Sequence, residues 1–542
     1  GFGGINAHLL LEEYIPSVGT YGHTPLQPQP TPEPIAIVGL DASFGPWQGL
    51  QAVQHRLLSD QTDQPPASPS HWWGTQQRNW FKQQRLDRAG YKGWYLGQLQ
   101  VSPNRFRIPP KEMEEMQPQQ LLMLQTAANA LQDAGLDQQD NLRTGTFIGI
   151  SYDLNSTGFS LRWPMPQQAK GWAVKLGRQL SESELADWTA KLRDSISPPL
   201  NANRTMGSLG NIVASRIARE FKIGGPSFTI SSEDSSGIRA LETAVRMLQQ
   251  QELDQALVGA VDLAGDLRTV LGQQSVLPSS KQGGALVFDQ QADGILIGEG
   301  ACALVLKRLS DAERNNNRIY GVIRSVASGN GSLQERYQPL MQQSIQEAAV
   351  PSASITLVGA AAAGVPQQDQ TEASNLQQSF TTPVFISSAA ARLGHTGAAS
   401  GLASLLQTLL CLYHEIIPTT SQVTNPLPLF ANSNLNLAPT SRYWLRNRED
   451  GPRRALVASC GVDGSCSQVL LEGWDGPQPA QAEAERCTPL GACTEMLFPL
   501  VANSQSELSA ELDLLQQRLR AADNNLAGLA AEYCSRITKE TT

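Results

Sequence analysis

Apolar residues fall along this chain in short runs closed by glycine or polar turns, with longer helical stretches between them. The run Pro34-Ile-Ala-Ile-Val-Gly-Leu40 predicts a buried first strand. Phe147–Ser151, Ser227–Ser231, Gln255–Val261, Ala301–Leu306 and Ile319–Val326 predict further strands. Gln117–Ala134 reads as a helix: Pro118 suits its first turn, Leu121, Leu122, Leu124 and Ala128 lie near helical spacing, and Gly135 marks its stop. Residues 209–221 and Ser235–Gln251 also read as helices. The turn Asn316-Asn-Arg318 predicts that the two strands beside it pair antiparallel. Strands alternating with helices predict a layered α/β fold.

Two kinds of segment interrupt this pattern. Residues 47–106 are rich in Trp and Gln with little periodicity, and read as a surface insertion with short helices. Its aromatic stretch from Trp72-Trp73 to Trp94 leaves two readings open, a partner surface or the insertion's own core. Residues 16–32 hold five prolines and read as an extended linker. Past Trp474 the chain changes character. Pro477–Glu485 reads as a linker, Leu497–Val501 as a strand, and Ser504–Leu519 and Leu526–Tyr533 as helices, too little for a full domain.

Composition narrows the function classes. With 40% hydrophobic and 17% charged residues the chain is globular and not disordered. A net charge of −9 and no basic stripe leave no electrostatic footprint for nucleic acid. No run of about 18 apolar residues marks a membrane span. The seven cysteines (302, 411, 460, 466, 487, 493 and 534) are scattered and lack a C-x-x-C pair. That favours reduced thiols in a cytoplasmic protein over a zinc site or disulfide framework. The first residues, Gly1-Phe2-Gly3-Gly4, lack an initiator Met and a signal peptide's features, and suggest an internal start within a longer polypeptide.

A repeat supports that suggestion. Gly1-Phe-Gly-Gly-Ile-Asn-Ala-His-Leu-Leu-Leu-Glu12 lies over Gly461-Val-Asp-Gly-Ser-Cys-Ser-Gln-Val-Leu-Leu-Glu472. Gly1, Gly4, Leu10, Leu11 and Glu12 match Gly461, Gly464, Leu470, Leu471 and Glu472. The simple reading is that one unit ends near residue 12 and a second of the same type fills residues 34–474.

That second unit resembles the β-ketoacyl synthase family of fatty acid and polyketide synthases. The resemblance rests on Ile35-Ala-Ile-Val-Gly39, Met116-Gln-Pro-Gln-Gln-Leu-Leu122, Gly225-Pro-Ser-Phe-Thr-Ile230, Phe288-Asp-Gln-Gln-Ala-Asp-Gly294, Leu306-Lys-Arg-Leu-Ser-Asp-Ala312 and Leu393-Gly-His-Thr-Gly-Ala-Ala-Ser-Gly401. It implies a thiolase-like five-layer α-β-α-β-α sandwich of two similar halves, usually dimeric through the strand at Ser227–Ser231. The segments would then be a preceding ketosynthase tail (1–15), a linker (16–33), an N-terminal half (34–310), a C-terminal half (311–474) and a linker with the start of a following segment (475–542). Gly298-Glu-Gly300 lacks the rest of a phosphate loop and is expected to be a structural turn.

Family chemistry needs a Cys at a helix N-terminus to take the acyl group, since the helix dipole favours thiolate. It also needs two His to stabilise the enolate left when CO2 departs, and a Lys behind one of them. Here the resemblance puts Asp234 at the Cys position, Ala361 at the first His and Ala390 at the Lys. Only the second His survives, as His395. The closing loop carries Val462, Asp463, Cys466 and Gln468, whereas the first copy keeps Phe2, Gly3, Asn6 and His8.

The implied role is a non-condensing chain length factor of a polyunsaturated fatty acid synthase. It would pair with an upstream active ketosynthase and shape the acyl tunnel. No cofactor or metal is expected to bind directly. The phosphopantetheine arm of an acyl carrier protein would carry the substrate. Two alternatives stay open: a decarboxylase that makes the starter from malonyl thioester, and a dimerisation scaffold of a glycolipid or polyketide synthase. Blander structural readings also stand beside two residues. Asp234 would serve as a helix N-terminal carboxylate, and His395 as a satisfied core histidine.

Overall fold

The computed structural model describes residues 32–536, apart from 61–63, 73, 88–89, 103, 137–140, 152–158, 264, 421, 480–481, 483–496 and 522–525. The first repeat copy, the linker up to residue 31 and much of the Pro477–Glu485 linker therefore lie outside the described residues.

Ten strands build the main sheet: β1 (Ile35–Phe44), β2 (Thr144–Ile150), β3 (Ser227–Ile230), β4 (Gln255–Asp262), β5 (Gly300–Arg308), β6 (Gly321–Asn330), β7 (Ile355–Gly359), β8 (Val384–Ser387), β9 (Arg454–Cys460) and β10 (Ser465–Glu472). Their spatial order is β3-β2-β4-β5-β1 in the first half and β8-β7-β9-β10-β6 in the second. Numbered within each half, both orders read 3-2-4-5-1. The directions agree as well: the pairs 3-2 and 2-4 are parallel, and 4-5 and 5-1 antiparallel. The halves meet where Ile35, Ala36 and Ile37 pair with Ile323, Val322 and Gly321. Two small strands, Trp47–Gln48 and Leu435–Asn436, extend the sheet at β1 and β8.

The helices are α1 (Leu50–Leu58), α2 (Pro118–Asp133), α3 (Met165–Lys175), α4 (Glu182–Ile196), α5 (Ile212–Glu220), α6 (Ser236–Gln249), α7 (Leu333–Ala348), α8 (Pro366–Ser379), α9 (Ser400–His414), α10 (Gln505–Ala521) and α11 (Leu526–Ser535). In each half the helices after strands 1 and 2 cover the outer face: α2 and α5 in the first, α7 and α8 in the second. The helix after strand 3, α6 or α9, lies inside, and the two pack on each other between the sheets. This gives the α-β-α-β-α layering. Sequence explains the inner position of α9. Ser-Gly-Leu-Ala-Ser-Leu-Leu-Gln-Thr-Leu-Leu-Cys-Leu-Tyr is apolar on nearly every side, and such a helix must be buried all round. Leu402, Leu405, Leu406, Leu409 and Leu410 are fully enclosed, each contributing roughly 2 kcal/mol.

Two expectations fail. Ala301–Leu306 and Ile319–Val326, in β5 and β6, do not pair, because β1 lies between them and pairs with both. The short helix Leu309–Arg314 carries the chain across, with Leu309 N–H donating to Pro34 O and Tyr320 N–H to Ile37 O, both at 2.9 Å. Each neighbour runs antiparallel to β1, so they run parallel to each other. Leu497–Val501 forms no strand. Phe498 and Leu500 pack instead with Leu515, Leu529 and Tyr533 of α10 and α11.

The aromatic insertion resolves toward its own core. Trp72, Phe81 and Tyr91 are buried together with Val270 and Ile297, Trp94 is buried in the main core, and Trp80 is exposed. Gly298-Glu-Gly300 is not the expected turn: Gly298 ends the short strand Ile297–Gly298, Gly300 opens β5, and both glycines sit at close approaches. A Cβ at Gly298 would stand 2.4 Å from Leu393 O, and one at Gly300 would stand 2.3 Å from Phe44 Cδ1.

Candidate functional site

The four positions singled out in the sequence line one cavity. Asp234, Ala361, Ala390 and His395 meet there with Ser459 and Cys460, and the remaining wall is mostly alanine and glycine. About 30 Å³ is open to the centre of a water-sized molecule, enough for one ordered water. Topology explains the convergence. Asp234 follows β3, Ala361 follows β7, Ala390 follows β8, and Cys460 ends β9. The loops leaving the carboxyl ends of parallel strands are where α/β sheets place their sites.

Asp234 is presented by a tight elbow. Glu233 before it sits at φ 42, a left-handed conformation costing about 1 kcal/mol in a non-glycine residue. Ser236 Oγ holds the turn by donating to Glu233 O (2.6 Å) and accepting from Ser232 N–H (2.8 Å). Asp234 does not cap α6 with its side chain. Ser235 occupies the N-cap without a side-chain bond, and the Asp234 carboxylate turns to His395, with Oδ1 3.1 Å from Nε2. The helix-cap reading of Asp234 thus gives way to a pairing, and the lone histidine has a partner.

His395 is fixed through its backbone. Its N–H donates to Leu296 O (2.7 Å), and Gly298 N–H donates to its carbonyl (2.9 Å). The close approach at Gly298 makes this possible. Burial alone would lower the imidazole pKa. The Asp234 charge and hydrogen bond, with the Asp262 charge behind them, outweigh burial and raise it above the ordinary histidine value.

Asp262 escaped the reading of the sequence. It ends β4, fully buried, and its Oδ2 accepts from Ser151 Oγ and from Ala398 N–H, both at 2.7 Å. Burial pushes its carboxyl up to about 7, against those hydrogen bonds; Asp234 adds to the rise and His395 opposes it. Gly397 is required beside it. It sits at φ 50, and a Cβ there would lie 2.1 Å from Asp262 Oδ2. The sequence signal was a single Asp closing the apolar run Val258-Gly-Ala-Val-Asp262.

A second acidic pair shapes the Ala361 loop. Glu372 accepts from the N–H groups of Ala361 (2.9 Å) and Ala362 (2.7 Å) and from Tyr337 OH (2.8 Å). Asp369 accepts from Phe288, Ala363 and Gly364 N–H. Burial pushes Asp369 up to about 7 and raises Glu372 as well. These carboxylates stand one helical turn apart on α8, a helix with no other charge, and that spacing was the available signal.

Ala361 and Ala390 bring only methyl groups. The cavity's one thiol, Cys460, is held well above the ordinary thiol range by the Cys466 hydrogen bond and by burial. In the closing loop, Asp463 Oδ1 accepts from Ser465 N–H (2.9 Å) and Oγ (2.5 Å). Gln468 is fully buried, and neither of its amide atoms has a hydrogen-bond partner. Among the described residues no three His, Cys, Asp or Glu side chains cluster as a metal site. No described helix is long and apolar enough to cross a membrane.

Two half-sheets of one topology, an inner helix pair and a cavity at their strand ends define a thiolase-like synthase fold. The family model of the β-ketoacyl synthase N-terminal domain matches residues 32–312, and that of the C-terminal domain matches 320–424, so the chain belongs to the β-ketoacyl synthase family. It is 28% identical over 545 residues to a component of the polyunsaturated fatty acid synthase of Thraustochytrium sp., covering 96% of this chain and 25% of that protein. It is 27% identical over 508 residues to an erythronolide synthase of Saccharopolyspora erythraea, covering 90% of this chain and 13% of that one. The chain spans a quarter or less of the curated relatives it matches. Among solved structures, the PfaC keto synthase–chain length factor superposes with a TM-score of 0.68 at 26% identity, over 83% of this chain and 43% of that chain. A ketosynthase from module 6 of the Bacillus subtilis bacillaene synthase superposes with a TM-score of 0.66 at 24% identity, over 91% of this chain and 78% of that one.

Proposed function

We propose that this chain is a non-condensing, chain-length-factor domain of an iterative polyunsaturated fatty acid synthase. It pairs with an active ketosynthase domain, and the acyl group arrives on the phosphopantetheine arm of an acyl carrier protein. The observation that carries this reading is the pairing of Asp234 with His395 at 3.1 Å. The resemblance puts the acyl-accepting Cys at Asp234, and a carboxylate there is a poor acyl acceptor. The surviving imidazole is engaged by that carboxylate and is not free to hold an enolate. Ala361 and Ala390 offer no donor in place of the other His and the Lys, and the Cys460 thiol is kept protonated.

Two further observations support the partnership. β3 is the open edge of the sheet, and Phe228 on it stays 41% exposed. An edge strand with one side unpaired and an exposed aromatic invites pairing with another chain. The likeness to a keto synthase–chain length factor structure and to a polyunsaturated fatty acid synthase component points the same way.

The test incubates this chain, alone and joined to an active ketosynthase, with malonyl-carrier protein and an acyl primer. Intact-protein mass spectrometry follows CO2 loss and chain extension. Condensation by the pair, with no change by the chain alone, is expected. Conversion of malonyl to acetyl thioester by the chain alone would replace the proposal with the decarboxylase reading. Ala363→Leu or Ala403→Leu, at the cavity wall, should shorten the pair's products. Unchanged product length would leave only a scaffold role.

A further inference from the structure

Cys460 ends β9 and Cys466 lies at the start of β10, directly opposite it in the antiparallel register. Both are free thiols, with their Sγ atoms 2.6 Å apart. The turn between them is tied by Gly461 N–H to Ser465 O (2.8 Å) and by Gly464 N–H to Gly461 O (3.1 Å). Directly opposed residues of an antiparallel pair have Cα atoms about 4.5–5.5 Å apart, a separation that a disulfide spans without backbone movement. The two thiols differ in access. Cys466 is buried, whereas Cys460 lines the cavity and keeps part of its surface open.

We propose that Cys460 and Cys466 form a dithiol that a low-molecular-weight disulfide, such as glutathione disulfide, oxidises to a cross-strand disulfide. Cys460 gives up its proton and attacks one sulfur of the reagent. The reagent's S–S bond breaks, one thiolate leaves and takes up a proton, and a mixed disulfide stays on Cys460. Cys466 then loses its proton and attacks Cys460 Sγ, and the second reagent thiolate leaves and is protonated in turn. The protein sulfurs lose two electrons, and the reagent gains them as two thiols. The bridge ties the cavity wall at Cys460 to β10. This inference does not depend on the function proposed above.

The pair's surroundings give the reaction a pH signature. The Cys466 hydrogen bond, burial, and the Glu372 and Asp234 charges all favour the protonated Cys460 thiol. The Tyr337 hydroxyl faces the same cluster. Only the thiolate attacks, so oxidation accelerates as pH rises through the alkaline range.

The test exposes the folded chain to glutathione disulfide, alkylates the remaining thiols and maps peptides by mass spectrometry. The expected product is one peptide holding both residues, two hydrogens lighter and without alkyl label on either. Cys466→Ser should stop at a glutathione adduct on Cys460. Full alkylation of both residues, a persistent glutathione adduct on Cys460 in the unsubstituted chain, or a bridge that forms only after urea unfolding would each overturn the proposal. The exposed Cys534 should take up glutathione in every case and confirms that the reagent is active.

Discussion

In the first half the chain leaves β3 through the Glu233 elbow and enters α6 with Asp234 turned toward the cavity. In the second half it leaves β8, makes the short helix Ala390–Leu393, and enters α9 past His395 and Gly397. The strand order, directions and helix layers of the halves are the same. These equivalent crossovers carry different chemistry and meet face to face, so the cavity's central pair takes one residue from each half. The framework repeats because apolar burial tolerates many sequences with one pattern. A site built at crossovers is free to diverge without touching that pattern.

The largest effect should come from breaking the second crossover at its tightest point. Gly397→Val sets a side chain against Asp262 at a left-handed φ and should destabilise the fold by about 4 kcal/mol, read as a lower urea midpoint. The equivalent first crossover tolerates a non-glycine at φ 42, so Glu233→Gly should change stability by less than about 1 kcal/mol.

Next comes a pH dependence. Asp262, with its carboxyl raised to about 7, binds its proton more tightly folded than unfolded. Its contribution is complete below the unfolded value near 4 and is lost as pH rises through about 7, with a size of roughly 4 kcal/mol. Asp369, raised to about 7, and Asp41, raised to about 6, add to the same slope. Denaturant stability should therefore fall from pH 5 to 7.5, and Asp262→Asn should flatten part of that fall. A stability that climbs over this range would contradict the burial of these groups.

A smaller change sharpens the pairing between halves. Asp234→Asn removes the charge beside His395 and leaves burial to dominate. The imidazole pKa, followed by NMR, should drop from above the ordinary value to below it. No change would mean that the two crossovers meet without coupling. The smallest effect concerns the buried, unpartnered Gln468 on β10. Gln468→Leu should raise stability by about 1 kcal/mol, since an amide buried without partners costs more than an apolar side chain of similar size.

Most of the framework was legible because strand and helix periods differ and every buried element must show one of them. The first strand, the Pro118 helix and the inner helix after Ser235 could all be read from spacing and stop residues. Pairing could not. Ala301–Leu306 and Ile319–Val326 adjoin in sequence across an obvious turn, yet the strand that separates them comes from residues 35–44. Adjacency along a chain says nothing of a distant strand that fits better. The cavity's positions were legible only through family resemblance. Asp262, Glu372 and Asp369 were missed because a buried carboxylate is defined by its backbone donors, and those arrive from loops far along the chain.

The placement of β1 has a consequence for how the chain acquires its structure. β1 is made before the other nine strands of its sheet, yet its register partners run from Gly300 to Arg308 and from Gly321 to Ile323. At ribosomal speed those partners emerge only on the order of tens of seconds later. Until then an apolar ten-residue strand waits without either neighbour, through the synthesis of the whole first half. Such high contact order slows folding and leaves a sticky edge open to other chains. Expression of this protein should thus depend on chaperones that hold nascent segments, and on temperature more steeply than its equilibrium stability alone would suggest.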